Sequence, residues 1–248
     1  MKVIVLGCGS SVGSPVLGKD YTNIKKKNWR TRSSIYISTQ GKDILIDSGP
    51  DFRQQALNNK IKNIDFVLYT HSHADHTHGI DDLRMYSYLR KDRINCYGNN
   101  YTIRDIKENF SYIFNPKNSA GRPRLNLKVI EKEFVEKGVK VIPLPIIHSD
   151  WDIFGYRIGS FAYITDCSSI PDETISKMQD LDLLVLDALR LTPHNAHLSV
   201  EQAVELSSNI RAKRTILTHM GSDLDYYELL EILPKGVEPG YDGLSVDL

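Results

Sequence analysis

The most constraining stretch of this chain is Asp65-Phe66-Val67-Leu68-Tyr69, a β-like run that passes without a linker into Thr70-His71-Ser72-His73-Ala74-Asp75-His76. Three imidazoles and a carboxylate thus fall within six residues. Neutral imidazole nitrogens and carboxylate oxygens are the donors preferred by zinc and by harder divalent ions such as manganese. In extended chain, positions i and i+2 project to the same side, so His71 and His73 can grip one ion. Asp75 and His76 follow where the chain turns toward a helix, and are placed to face a second. Any fold for this chain must therefore end an apolar strand at a polar, ion-binding edge.

Further β-like runs lie at 2–6, 34–38, 43–46, 140–147, 161–165, 183–186 and 215–218,. Helix-like stretches fall between some of them, at 80–89, 101–112, 170–179, 199–209 and 226–233, the fourth headed by a Ser199/Gln202 capping-box pattern,. The mixture predicts an α/β fold. No repeat and no long Pro/Gly/Ser linker divides the sequence, so residues 1–248 are expected to form one domain,. The segments 13–31 and 115–124 are expected as exposed loops or lids. Three runs close on further ligand-type residues: His148 after 141–147, Asp166 after 161–165 and His219 after 215–218. Strand ends gathered at one edge of a sheet hold such side chains rigidly while loops admit a substrate.

Composition narrows the partners. Lys and Arg total 31, as do Asp and Glu, so net charge points to neither an extended nucleic-acid surface nor an acidic partner,. The apolar run at 139–147 falls well short of the ~18 residues of a membrane span, and no signal-peptide core is evident, so a cytoplasmic protein is expected. Cys8, Cys96 and Cys167 are scattered and match neither a disulfide framework nor a metal knuckle,. Two glycine motifs fail. In Gly7-Cys8-Gly9-Ser10-Ser11-Val12-Gly13 the third glycine comes one residue too late for dinucleotide binding, and in 13–20 Asp20 stands where a phosphate loop needs a hydroxyl,.

The string His71-x-His73-x-Asp75-His76, followed in order by His148, Asp166 and His219, resembles the metallo-β-lactamase superfamily. That resemblance implies an αββα four-layer sandwich with two divalent metal ions, zinc or manganese, at one edge. It implies His71, His73 and His148 on one ion, Asp75, His76 and His219 on the other, and Asp166 bridging them. Segments 47–53, 76–84, 110–114 and 186–190 are similar to the PhnP-type phosphodiesterase branch, a likeness that covers nearly the whole chain. Relatives in that branch often carry a cysteine-rich loop holding a structural zinc; Gly18-Lys19-Asp20-Tyr21-Thr22-Asn23 stands there instead, and no third metal is expected.

The implied activity is phosphodiester hydrolysis. Two ions lower the pKa of a bridging water and clamp a phosphoryl group for in-line attack. His197 resembles the general acid of tRNase Z and PhnP-type enzymes, protonating the leaving oxygen or stabilising the phosphorane. Asp75 is placed with it in the catalytic set. Asp47 closes another β-like run, where it can orient a ligand histidine. His78 and His194 are assigned no role. Arg84, Arg190 and the basic cluster at 25–32 are open as substrate contacts or as solvated side chains. The expected partner is a small or cyclic phosphodiester, with no membrane; a homodimer is compatible with the sequence. Three other readings are compatible with the ligand set: a tRNase Z-like ribonuclease, which would need an exosite for tRNA; a thioesterase of the glyoxalase II type, which the local strings do not support; and a PqqB-like protein that handles a cofactor without hydrolysis.

Overall fold

The computed structural model describes residues 1–20, 22–115 and 121–248. Parts of both expected loops, Tyr21 in 13–31 and residues 116–120 in 115–124, lie outside the described residues. The strands are β1 (Lys2–Gly7), β2 (Ser34–Thr39), β3 (Lys42–Ile46), β4 (Phe66–Leu68), β5 (Ile94–Gly98), β6 (Leu125–Val129), β7 (Phe134–Glu136), β8 (Val139–His148), β9 (Trp151–Ile158), β10 (Phe161–Ile164), β11 (Leu183–Asp187), β12 (Thr215–Thr218), β13 (Val237–Pro239) and β14 (Leu244–Asp247). The α-helices are α1 (Phe52–Asn58), α2 (Ala74–Thr77), α3 (Leu83–Arg90), α4 (Asn100–Asn109), α5 (Ser111–Phe114), α6 (Asp172–Ser176), α7 (Val200–Ile210) and α8 (Tyr226–Ile232).

Among the described residues these strands form two seven-stranded mixed sheets, in the orders β14-β1-β2-β3-β4-β5-β6 and β13-β12-β11-β10-β9-β8-β7. Alternation in the first sheet sorts its side chains between two apolar layers, as the period of two along a strand requires. Val3, Val5, Ile35, Ile37, Ile44, Ile46, Phe66 and Leu68 pack toward the second sheet. Their neighbours Ile4, Leu6, Tyr36, Leu45 and Val67 pack outward with Phe52 of α1, Leu83 of α3 and Ile106 of α4. On the second sheet α6 meets β8, and α7 meets β11 and β12. The layering is helix, sheet, sheet, helix: the αββα sandwich.

Sheet register places the site. β3, β4 and β5 run parallel with Ile46 opposite Leu68 and Leu68 opposite Tyr97. β10, β11 and β12 also run parallel, with Ile164 opposite Leu186 and Asp187 opposite Thr218. Residues that follow these strands consequently emerge side by side at one edge. Three of them, Asp47, Asp166 and His219, have φ of 61°, 53° and 55°. Left-handed backbone at a non-glycine residue costs about 1–3 kcal/mol, a strain that clusters at functional sites.

The 13–31 segment is an exposed loop over its described middle, with Leu17 92% exposed, and is pinned at its two ends. Ser14 and Arg30 exchange backbone hydrogen bonds at 2.8 Å, and the guanidinium of Arg30, 2% exposed, donates to the carbonyls of Gly221 and Leu224. Among the described residues no helix is long and apolar enough to cross a membrane.

Candidate metal centre

β4 delivers His71 and His73 on extended chain, and α2 begins at Ala74 and carries Asp75 and His76. His148 is the last residue of β8, Asp166 follows β10, and His219 follows β12. The structure brings these seven residues together in two groups that share Asp166: His71, His73, His148 and Asp166, and Asp75, His76, Asp166 and His219. Within each group one ligand atom per residue lies within 4.8 Å of all the others. Asp166 Oδ2 stands 3.2 Å from His76 Nε2 and 3.1 Å from His219 Nδ1, and Oδ1 is 3.9 Å from His71 Nε2.

The chemistry of this donor set fits divalent ions. His76 Nε2 and Asp75 Oδ2 are buried, 3.1 Å apart, and neither has a hydrogen-bond partner of good geometry among the described residues. An orphaned buried polar atom is costly, so two of them aimed at one space point to a missing partner. The electrostatics agree. Burial pushes His71, His73 and His219 below the ordinary imidazole range, toward the neutral form that ligates metal,. Burial also opposes charge on His76, yet Asp75, Asp166 and Asp47 outweigh it and hold its pKa well above the ordinary value. Burial would raise Asp166, but His219 and His76 beside it hold it well below the usual carboxylate range. Converging carboxylates this deeply buried call for a compensating cation.

An outer set of groups aims these side chains. His76 donates through Nδ1 to Asp47 Oδ2 at 2.7 Å, the contact to a ligand histidine expected of Asp47. Asp47 also accepts from the backbone and hydroxyl of Thr70, both at 2.8 Å, and Thr70 Oγ1 lies 3.0 Å from His71 Nδ1. His148 Nδ1 donates to the carbonyl of Ala196 at 3.0 Å. Two glycines allow the close approach of this layer. A Cβ on Gly49 would meet the Asp75 carbonyl at 2.0 Å, and one on Gly79 would meet the Gly49 carbonyl at 2.0 Å.

His197 lies at the rim, its ring 5.0 Å from that of His148 and stacked at 4.8 Å on that of His219. Its Nδ1 is 3.3 Å from Asp187 Oδ1, the last residue of β11. Burial opposes charge on His197, but the hydrogen bond and charge of Asp187 prevail and raise its pKa. Asp187 also accepts from the backbone of Asp166 at 3.0 Å and of Leu198 at 2.9 Å, so one carboxylate positions both a ligand and His197. Sequence reasoning gave Asp187 no role, although it ends a β-like run as Asp166 does.

Other candidates fall away from the cluster. His78 packs on Phe110, and His194 Nδ1 accepts from the backbone of Ala196. Buried Cys167 directs Sγ to the Ser169 carbonyl. In the basic cluster, Lys27 sits over the rings of Tyr226 and Tyr241, Lys25 over Tyr227, and Arg32 pairs with Asp51 at 3.1 Å. Arg84 donates to the Gly121 carbonyl and Arg190 to the carbonyls of Thr192 and Pro193. These cations bind the protein itself.

A fold of two layered sheets with histidines and aspartates gathered at one edge is that of a metal-binding αββα protein, and comparison with known proteins gives the family. The chain belongs to the beta-lactamase superfamily domain family, whose model matches residues 42–220. It is similar over its whole length to a crystal structure of a new diphosphatase from the PhnP family, with 38% identity, a TM-score of 0.93, and coverage of 100% of this chain and 97% of that one. It thus stands among the PhnP-type hydrolases. Zinc-bound PqqB from Methylobacterium extorquens shares the fold at 20% identity and a TM-score of 0.81, with 100% of each chain covered. An octanoyltransferase of Porphyromonas gingivalis (strain ATCC BAA-308 / W83) is 36% identical over 253 residues, 99% of this chain and 51% of that protein. The chain spans about half the length of that relative.

Proposed function

We propose that this protein is a dinuclear metal-dependent phosphodiesterase acting on a small or cyclic phosphodiester. The observation that carries the reading is the pair of four-residue donor groups sharing Asp166, with His197 stacked at 4.8 Å on one of their histidines. In this reading His71, His73 and His148 would hold one ion, Asp75, His76 and His219 would hold the other, and Asp166, common to both donor groups, would serve both. Zinc and manganese both suit the mixed donor set. Bound there, such ions supply a water of lowered pKa and positive charge for the phosphoryl oxygens. The chain's own groups do the rest. Asp47 and the Ala196 carbonyl orient His76 and His148, Asp187 fixes the tautomer of His197, and His197 presents its Nε2 proton to the leaving oxygen,.

The likeness to a PhnP-family diphosphatase supports a phosphoryl target, since a diphosphate diester also presents phosphorus between bridging oxygens. The octanoyltransferase relative does not redirect the reading, because this chain spans 51% of it. A ribonuclease of the tRNase Z kind would need a surface tracking many phosphates. Of the basic cluster that would supply one, Arg30 is 2% exposed, Lys27 sits over Tyr226 and Tyr241, and Arg32 pairs with Asp51. The test is turnover by zinc- or manganese-loaded protein on bis(p-nitrophenyl) phosphate, diphosphate diesters, ribose cyclic phosphates, 2′,3′-cyclic nucleotides and a pre-tRNA. Small diesters are expected to lead. Pre-tRNA cleavage at a rival rate would favour the ribonuclease, and no hydrolysis of any would favour a PqqB-like cofactor-handling role.

A further inference from the structure

A cavity of about 350 Å³ opens directly beside His71. Its walls include Tyr101 on α4 and Trp151 at the start of β9, both in the lining. Trp151 leans on His73 with ring centroids 5.1 Å apart, yet remains 45% exposed, and Tyr101 is 61% exposed. Two large aromatic surfaces therefore face solvent next to one donor group of the metal centre. Exposed aromatic side chains flanking a cleft carry a hydrophobic cost that binding of a planar ring would relieve.

The charges in the lining decide what accompanies that ring. Arg104 lies 5.4 Å from the centre of Tyr101 and donates to Asp105 Oδ1 at 2.9 and 3.1 Å. The other Asp105 oxygen accepts from Ser72 Oγ at 2.9 Å. The one guanidinium is thus matched by the carboxylate beside it. Asp150 and Asp152 also line the cavity and have no cationic partner among the described residues. A wall with this surplus of carboxylates repels a second phosphate and accepts hydrogen bonds from hydroxyl or amino groups. It is equally unsuited to an alkyl chain, which would desolvate those carboxylates without pairing them.

We propose that this cavity takes the nucleoside end of the substrate, with its base against Trp151 and Tyr101 and its hydroxyl or amino donors toward Asp150 and Asp152. The proposal rests on the phosphodiesterase reading and deepens it. The substrate is a nucleoside phosphodiester or diphosphate diester rather than a sugar cyclic phosphate bearing another phosphate, and Trp151 and Tyr101 determine that choice.

Two measurements test it. With zinc-loaded protein, thymidine 5′-(p-nitrophenyl phosphate) and methyl p-nitrophenyl phosphate differ only in the group directed to the cavity. The nucleoside ester is expected to have the higher kcat/KM, and Trp151→Ala or Tyr101→Ala should each lower the ratio of the two by about tenfold, the scale of one lost base-stacking contact. Independently of turnover, AMP should quench tryptophan fluorescence saturably and bind at least about tenfold more tightly than ribose 5-phosphate, a preference that Trp151→Ala removes. A kcat/KM ratio near one, together with AMP binding no tighter than ribose 5-phosphate, overturns the proposal while leaving the metal-hydrolase reading intact. Trp151-dependent AMP binding without cleavage of either ester leaves the nucleoside cavity standing and sinks the phosphodiesterase reading.

Discussion

The His76 ring donates to Asp47 at 2.7 Å, and both side chains are completely buried. That contact joins the end of β3 to helix α2 across 29 residues of sequence and fixes which ring nitrogen of His76 faces Asp75 and Asp166. Asp47→Asn keeps the shape but weakens the acceptor and removes the charge that makes the imidazole a better donor to metal. A loss of about 10- to 100-fold in metal affinity is expected, read by chelator competition. Unchanged affinity would reduce Asp47 to a folding role.

The two donor groups predict stoichiometry. His219→Ala and His73→Ala each open a different group, so each should lower bound metal from two ions per chain toward one, measured by elemental analysis after dialysis. A single ion in the unaltered protein would overturn the dinuclear reading.

His197 touches the rings of His148 and His219 but belongs to neither donor group. His197→Ala should therefore depress kcat by about 10²- to 10⁴-fold, the range of a lost general acid, while metal content is retained. The loss should shrink for a substrate with p-nitrophenolate as leaving group, which needs little protonation. Loss of metal from the variant would exclude the general-acid assignment.

Gly49 has no room for a side chain, because a Cβ would stand 2.0 Å from the Asp75 carbonyl. Gly49→Ala must push α2 away from β3, at a cost of about 1–3 kcal/mol. A lowered Tm together with weakened metal binding is expected. Lowered Tm with full metal affinity would show that the two elements move without disturbing Asp75 and His76.

Asp242 accepts hydrogen bonds from the backbone and hydroxyl of Thr31 and from the backbone of Cys8. Burial pushes its pKa up from 3.8 to about 6, the hydrogen bonds offsetting only part of the effect. The folded protein thus holds this proton more tightly than the unfolded chain. The stability contribution is full below the unfolded value and is lost as pH rises through about 6,. Relative to Asp242→Asn, the unaltered protein should lose up to about 3 kcal/mol between pH ~4 and pH ~8 in denaturant unfolding. A pH-independent difference would refute this.

Much of the architecture was legible because it rests on local pattern. The runs at 2–6, 34–38 and 43–46 fall within β1, β2 and β3, and the Ser199/Gln202 box caps α7 with both of its hydrogen bonds. The helix expected at 101–112 is divided into α4 and α5 at Phe110. β9 was missed because Asp152, Gly155 and Arg157 interrupt its apolar run. Gly155 is required there by packing: a Cβ would meet Ile164 Cδ1 at 2.4 Å. Short β5, β13 and β14 likewise draw their identity from the strands they pair with, in register with β4, β12 and β1,.

By itself the sequence determined the donor types and their positions at strand ends, since residue chemistry and spacing of one or two residues are local properties. Only the tertiary structure decided which donors converge on a common space, that Asp187 serves both Asp166 and His197, that Lys27, Arg30 and Arg32 of the basic cluster are spent on internal contacts, and that Tyr101 and Trp151 border one cavity. Each of these depends on the register of strands and the packing of layers distant along the chain. Such contacts form between residues whose individual preferences carry no information about each other.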